Sequence, residues 1–161
     1  TSNNITIEKM DVDVVNLLKQ VSVEHTDKFT QMELDVRWNV PDEKVILQLD
    51  NQKTYRIFEN LFVNIQKYAM PRSRVYIDVQ KADGCAEIVI RNMSAAELNV
   101  RPEELTERFV RGDASRNTEG SGLGLAIAKS FTEAQGGTFS VDVDGDLFKV
   151  TIRWKMETKE V

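Results

Sequence analysis

Gly120-Ser121-Gly122-Leu123-Gly124-Leu125 sets three glycines at alternate positions ahead of a segment with helical spacing. Leu123, Ile127, Phe131 and Ala134 recur at steps of four, four and three, which predicts one apolar helix face. Gly136-Gly137 supplies the stop signal. A helix start carries unpaired backbone N–H groups and the positive end of the helix dipole. Glycines there let an anion approach the main chain, so phosphate is the natural guest. The other reading of these residues alone is a flexible loop with a helix cap. A Walker A loop is excluded, because Gly124 is followed by Leu125-Ala126 rather than Lys-Ser or Lys-Thr. A dinucleotide-binding turn is excluded too, since Arg108 to Glu119 is polar and carries no strand pattern.

Composition narrows the class. The 161 residues suffice for one domain, expected to span 1–161, with a proper core. At 41% hydrophobic and 29% charged, they read as a soluble globular protein. A formal net charge of -5 speaks against broad binding to nucleic acid or a membrane surface. The single cysteine, Cys85, has no internal disulfide partner and fits a reducing compartment. It reads as a strand residue near a turn. No apolar run of about 18 residues is present, and no signal peptide is visible. The abrupt start at Thr1-Ser2-Asn3-Asn4 is expected of a domain excised from a longer chain.

The chain in order alternates strand pairs with helices. Val12, Val15 and Leu18, with Val14, Leu17 and Val21 beside them, predict a first helix from about Asp11 to His25. Glu33 to Val40 alternates, with Leu34, Val36 and Trp38 on one side. Lys44 to Leu49 alternates likewise after a turn at Pro41-Asp42, and the two are expected to form a hairpin. Asp50 or Asn51 caps a long helix to about Ala69, stopped by Pro71. Its apolar face is Tyr55, Phe58, Phe62, Ile65 and Ala69. Asn60, Asn64 and Lys67 form a polar stripe roughly opposite. Val75–Gln80 and Ala86–Arg91 pair across Asp83-Gly84, and Thr138–Val143 and Leu147–Trp154 pair across Asp144-Gly145-Asp146. A short helix is expected around Pro102 to Arg108. Three main helices and about six strands, in adjacent pairs, predict an α+β fold. It would be a two-layer α/β sandwich, with a mixed, mainly antiparallel sheet and the helices on one face.

Two asparagines in mid-helix call for a reason, since Asn is about 0.6 kcal/mol worse than Ala there. They read either as ordinary surface residues or as oxygens facing a ligand. A carboxamide oxygen suits a magnesium ion that already carries phosphate oxygens, and Lys67 one turn on can neutralise a terminal phosphate.

Glu59-Asn60-Leu61-Phe62-Val63-Asn64-Ile65-Gln66-Lys67-Tyr68 resembles the N box of sensor histidine kinases, with Asn, Asn, Lys and Tyr at that box's spacing. Glu107-Arg108-Phe109-Val110-Arg111-Gly112-Asp113 resembles the F box and the start of an ATP lid, and Gly120 to Lys129 resembles the G2 box. The order is also the family's. The chain thus resembles the catalytic, ATP-binding domain of a bacterial two-component histidine kinase, in the superfamily that includes type II topoisomerases and mismatch-repair ATPases.

The resemblance implies the Bergerat sandwich and a site for ATP and Mg2+. Asn64 would hold magnesium, Asn60 would lie beside the phosphates, Lys67 would reach phosphate and Tyr68 would flank the base. Arg111 and Arg116 would act from the lid, and Gly120, Ser121, Gly122, Leu123 and Gly124 would present main-chain N–H groups to phosphate. One box departs. The family reads Asp-x-Gly-x-Gly where this chain has Asn92-Met93-Ser94-Ala95-Ala96. Asn92 can still accept a hydrogen bond from the adenine amino group, without the charge assistance of Asp. Ser94 and Ala96 do not readily take positive φ, so the loop is expected to run differently. The departure bears on adenine affinity rather than on the fold.

His25 is followed by Thr26-Asp27-Lys28-Phe29, without the acidic-basic-Pro context of the family's phosphoacceptor. It reads as a partly exposed helix residue. The acceptor histidine would sit on a dimerisation domain outside this chain, in a homodimeric, membrane-anchored parent with this domain in the cytoplasm and a response regulator as partner. No nucleic-acid partner and no membrane contact by this domain are expected. The first rival is a degenerate domain of the same fold acting as an interaction module, favoured by Asn92, Ser94 and Ala96 and opposed by the intact N and G2 boxes. The second is a topoisomerase-type conformational machine, disfavoured by the short lid.

Residues 110–119 contain only two aliphatic side chains, Val110 and Ala114. They offer little to offset about 1–2 kcal/mol per residue of backbone ordering. Amide hydrogen exchange across this segment should therefore slow on addition of magnesium-ATP. Equal, strong protection with and without ligand would end the lid reading.

Overall fold

A computed structural model describes residues 5–96 and 123–156. The expected helix at 102–108, the F box, Arg111, Arg116, Gly120, Ser121 and Gly122 lie outside the described residues, as does the side chain of Leu123. Elements run β1 (Met10–Asp13), α1 (Val14–Glu24), α2 (Thr26–Gln31), β2 (Asp35–Asn39), β3 (Ile46–Leu49), α3 (Asn51–Tyr68), β4 (Arg74–Ala82) and β5 (Cys85–Met93). Next come α4 (Leu123–Ala134), β6 (Thr138–Asp144) and β7 (Leu147–Lys155).

The larger sheet has the order β2-β4-β5-β7-β6, antiparallel except for the parallel β2–β4 pair. Its apolar rungs follow from the period of two: Trp38, Ile77, Ile90, Val150 and Val141 sit side by side, and all are buried or partly so. The alternate rung of Arg37, Tyr76, Arg91 and Lys149 lies on the opposite, more exposed side. Only one face is thus fully apolar, and the helices bury it, as the two-layer reading expects.

Two expectations are corrected. β2 and β3 do not form a hairpin: β2 pairs with β4 in parallel, and β3 pairs antiparallel with β1 in a separate two-stranded sheet. The Pro41-Asp42 turn suggested adjacency, but the chain leaves the large sheet there and returns through α3. The first helix starts at Val14, not Asp11, because Met10–Asp13 is strand and Asp13 caps the helix by accepting from the Asn16 N–H. The chain then breaks at His25 into the short α2.

α4 is a helix where expected, but its buried face is displaced. Leu125, Ala128 and Thr132 are buried, whereas Ile127 and Phe131 are half-buried and Ala134 is exposed. The difference is roughly 140°, more than a third of a turn, at about 100° per residue. Its end is as read: Gly136 takes a positive φ of 79°, and Gly137 follows. A Cβ on Gly137 would lie 2.5 Å from Trp154 Nε1 and 2.9 Å from the Arg153 carbonyl oxygen, so only glycine lets β6 begin against β7.

The N-terminus of α3 is a junction. Asp50 is 6% exposed, and its carboxylate accepts from the backbone N–H groups of Lys53 and Glu8, each at 3.0 Å. Burial pushes this carboxyl up, but those N–H groups and the Lys53 ammonium outweigh it and hold it below the usual 3.8.

His25 sits at the α1–α2 corner, its ring tilted against Phe29 and Phe62 and its Nδ1 paired with the Gln66 amide of α3. Burial holds the imidazole below its usual 6.5, although Glu59 and Glu24 oppose the shift. With the folded value lowered, the unfolded chain binds more protons below pH 6.5, so stability is full above that pH and declines beneath it. Urea unfolding between pH 7.5 and 5 should show this decline, and His25→Gln should flatten it. An unchanged slope in the variant would assign the pH dependence elsewhere.

Candidate functional site

α3 and α4 lie antiparallel. Gly124, at the start of α4, lies against Asn60: a Cβ there would be 3.4 Å from the Asn60 Cβ, Cγ and Oδ1. At the other end, the Gln135 side chain reaches Asp50 and Thr54. The N-terminus of α4 therefore points along α3 toward its C-terminal half. Asn64 and Lys67 stand there, one and two turns beyond Asn60 at about 5.4 Å per turn.

Asn60 is half-buried, and its Nδ2 is buried with no hydrogen-bond partner among the described residues. A buried amide donor left unpaired costs about 1–3 kcal/mol. The Asn60 side chain lies beside a helix N-terminus, where backbone N–H groups and the dipole favour an anion. Asn64 is half-buried and Lys67 exposed, both on the same side of α3 as Asn60. A neutral amide oxygen and a mobile ammonium are suited to a magnesium ion and a phosphate respectively. Among the described residues no cluster of three His, Cys, Asp or Glu exists, so a cation here would rely on Asn and on the ligand's own oxygens.

Asn92 occupies the last helix-facing position of β5, in the rung Val36, Val75, Asn92, Phe148 and Val143. It is 3% exposed, the one polar member of an apolar rung. Its Nδ2 donates to the Met93 carbonyl at 3.3 Å. The loop after it is stitched to the end of α3: Met70 N–H donates to the Met93 carbonyl at 2.8 Å, and Ala95 N–H to the Tyr68 carbonyl at 2.8 Å. Ser94 is buried and donates its N–H to the Asp146 carbonyl at 2.7 Å in the β6–β7 turn. No residue from 92 to 96 has positive φ. Ser94 and Ala96 thus keep ordinary φ, as their side chains require. Tyr68 stands beside this loop, and partial burial pushes its phenol above the usual value.

The structure therefore brings Asn60 and Gly124 into contact, sets Asn64 and Lys67 beyond them, and places Asn92 and Tyr68 on adjoining elements at the same end of α3. Arg111, Arg116, Gly120, Ser121 and Gly122 lie outside the described residues. The sequence reading did not single out Ser94 as buried, nor Gln135 as the partner of Asp50. A Gln one residue past a helix end carries no local signal of where it reaches.

The profile of the histidine kinase-, DNA gyrase B-, and HSP90-like ATPases matches residues 49–158, more than half of the chain. The sensor histidine kinase HprS of Escherichia coli (strain K12) is 28% identical over 156 residues, which cover 93% of this chain and 33% of HprS. The chain spans a third or less of the length of HprS and of the other first-ranked curated relatives. Among solved structures, the catalytic domain of histidine kinase ThkA superposes with a TM-score of 0.77 at 19% identity, covering 92% of this chain and 95% of that one. Full-length ShkA, solved with AMPPNP, superposes with a TM-score of 0.76 at 21% identity, covering 98% of this chain and 33% of ShkA. These likenesses confirm the α+β sandwich read from the sequence.

Replacing Asn60 by Ala removes the unpaired donor and gains helix propensity. Thermal unfolding without ligand should show Asn60→Ala stabilised by about 1 kcal/mol. The same variant should lose roughly tenfold or more in affinity for a nucleoside triphosphate. A destabilised variant with unchanged affinity would make Asn60 an ordinary helix residue.

Proposed function

Because the chain belongs to the histidine kinase-, DNA gyrase B-, and HSP90-like ATPase family, we propose that it is the ATP-binding catalytic domain of a longer two-component sensor histidine kinase. In that protein it presents the γ-phosphoryl of ATP to a histidine on a separate dimerisation domain. The observation that carries the reading is Asn60, half-buried against Gly124 at the N-terminus of α4, with an amide donor that has no hydrogen-bond partner among the described residues. A ligand that supplied the acceptor would remove the cost of that donor.

In this reading Asn60 donates to a phosphate oxygen, and Lys67 neutralises terminal phosphate charge. The backbone of Gly120, Ser121, Gly122, Leu123 and Gly124 donates from the start of α4, and Arg111 and Arg116 add cations. Asn64 is the magnesium ligand, and the ion when bound neutralises charge and orients phosphate oxygens. Asn92 accepts from the adenine amino group and Tyr68 flanks the base. The incoming imidazole is itself the nucleophile, so this chain needs no general base. Phosphoryl transfer rests mainly on positioning and charge neutralisation, which these residues supply.

The parent is proposed to be a membrane-anchored homodimer with this domain in the cytoplasm and a response regulator as downstream partner. ThkA has been solved in complex with a response regulator, which supports that partner class. None of the described helices is long and apolar enough to cross a membrane. The net charge of -5 offers nucleic acid no general attraction. His25 is not the phosphoacceptor in this reading, since its Nδ1 is engaged with Gln66 and its ring is packed on Phe29 and Phe62.

The degenerate reading keeps one support, Asn92 with Ser94 and Ala96 in place of Asp and two glycines. Calorimetric titration with magnesium-ATP separates the two readings, because a degenerate module gives no saturable heat. Asn64→Ala and Asn64→Asp should weaken magnesium-dependent binding roughly 10- to 100-fold, the worth of one contact to a charged group. Their unfolding midpoints should stay near wild type. Wild-type affinity with magnesium present would remove Asn64 from the metal site.

A further inference from the structure

Gln135 lies at the opposite end of α4 from the phosphate-binding residues, yet its amide is engaged on both sides. Its Oε1 accepts the Asp50 backbone N–H at 2.7 Å, while its Nε2 donates to the Phe131 carbonyl at 3.2 Å and contacts Thr54 Oγ1 at 3.4 Å. Thr54 is fully buried and donates its hydroxyl to the Asp50 carbonyl at 2.8 Å. Lys53 completes the junction, with its ammonium 3.7 Å from the Asp50 carboxylate and 5.9 Å from the Phe131 ring centre. The first residues of α3 and the last of α4 are thus locked by directional bonds.

Gly124, Ala128 and Gln135 share one face of α4 by their spacing of four and seven, with the buried Leu125 and Thr132 beside them. Gly124 and Ala128 carry no side-chain hydrogen-bonding group, so among the described residues the polar side-chain bonds between α4 and α3 lie at the Gln135 end. Slipping α4 by one residue would move its N-terminus by about 1.5 Å and turn it by about 100°. Either change would take Gly124 off Asn60.

We propose that Gln135 is a positioning residue for nucleotide binding: its amide sets the register in which α4 presents its N-terminus beside Asn60. This rests on the reading of the Asn60–Gly124 end as a phosphate site. The same junction receives the N-terminal segment, through the Glu8 N–H on the Asp50 carboxylate. The register is therefore anchored to the segment ahead of β1 as well as to α3.

The test uses Gln135→Met, which keeps the length of the side chain and removes both polar contacts, and Gln135→Glu. Ile77→Val, in the sheet core and outside the Gln135 junction, serves as a control that lowers stability without touching either polar contact. Magnesium-ATP affinity is measured by calorimetry under conditions where every variant is folded. Gln135→Met should bind roughly tenfold more weakly, the scale of one well-placed polar contact, and Ile77→Val should bind as wild type. Gln135→Glu, whose ionised carboxylate keeps an acceptor and loses the donor, should bind more weakly than wild type and more tightly than Gln135→Met. Nuclear Overhauser contacts between the Asn60 side chain and Gly124, recorded without nucleotide, should weaken in Gln135→Met and persist in Ile77→Val. Unchanged contacts, or wild-type affinity in Gln135→Met, would overturn the positioning role. Loss of the contacts in Gln135→Met while wild type itself fails to bind magnesium-ATP would uphold the register but refute the nucleotide reading.

Discussion

The close approach of α4 to α3 at Gly124 and Asn60 is the constraint on which the candidate site depends. The arc of α3 formed by Thr54, Ile57, Phe58, Leu61, Phe62 and Ile65 is buried, which makes it the centre of the core. The adjacent arc carries Asn60 and Asn64, and there α4 closes over the helix instead of solvent. A hydrophobic residue at 60 would remove the desolvation cost of Asn60 Nδ2. Polarity is retained at the position that packs against Gly124, beside the N-terminus of α4, the end of a helix whose first N–H groups have no partner within the helix.

The hairpins β4–β5 and β6–β7 were legible because alternation and a two-residue turn signal coincide in each. α3 was legible because a cap, a stripe and a proline stop agree, and the structure bears out Asp50 as the cap. What failed was non-local. Val36 and Trp38 mark β2 as a half-buried strand, but nothing in residues 33–40 says that the partner is β4 across α3 rather than β3 across Pro41-Asp42. β1 is four residues with aspartates at two of them, too short for alternation to outweigh the helical stripe that follows.

The displaced face of α4 has a different cause. Hydrophobic spacing selects the bulky residues Ile127 and Phe131, yet the deepest positions are Ala128 and Thr132. Close helix approach favours small side chains, so at a tight helix pair the most buried face is not the most hydrophobic one. In the candidate site, Asn60, Asn64 and Lys67 could be read because polar residues at helical spacing interrupt a core helix. Gln135 could not, because its partner is 85 positions away and lies on another helix.

The Asn92 loop shows how the departure from the family pattern is accommodated. An Asp-x-Gly-x-Gly loop relies on glycines for conformational freedom, whereas here the backbone from 92 to 96 keeps ordinary φ and is held by neighbours. The Tyr68 carbonyl and the Met70 N–H grip it from α3, and the Asp146 carbonyl grips it from the β6–β7 turn. Removing glycines lowers the entropy lost on ordering such a loop, and those bonds define its path. The consequence falls on the buried Asn92, whose rung neighbours Val36, Val75, Phe148 and Val143 offer it no polar partner. Among the described residues its amide Nδ2 donates to the Met93 carbonyl at 3.3 Å. In the proposed reading a purine amino group would donate to its oxygen. The loop thus gives up glycine freedom for a fixed frame, and that reading assigns base recognition to a neutral acceptor held in place.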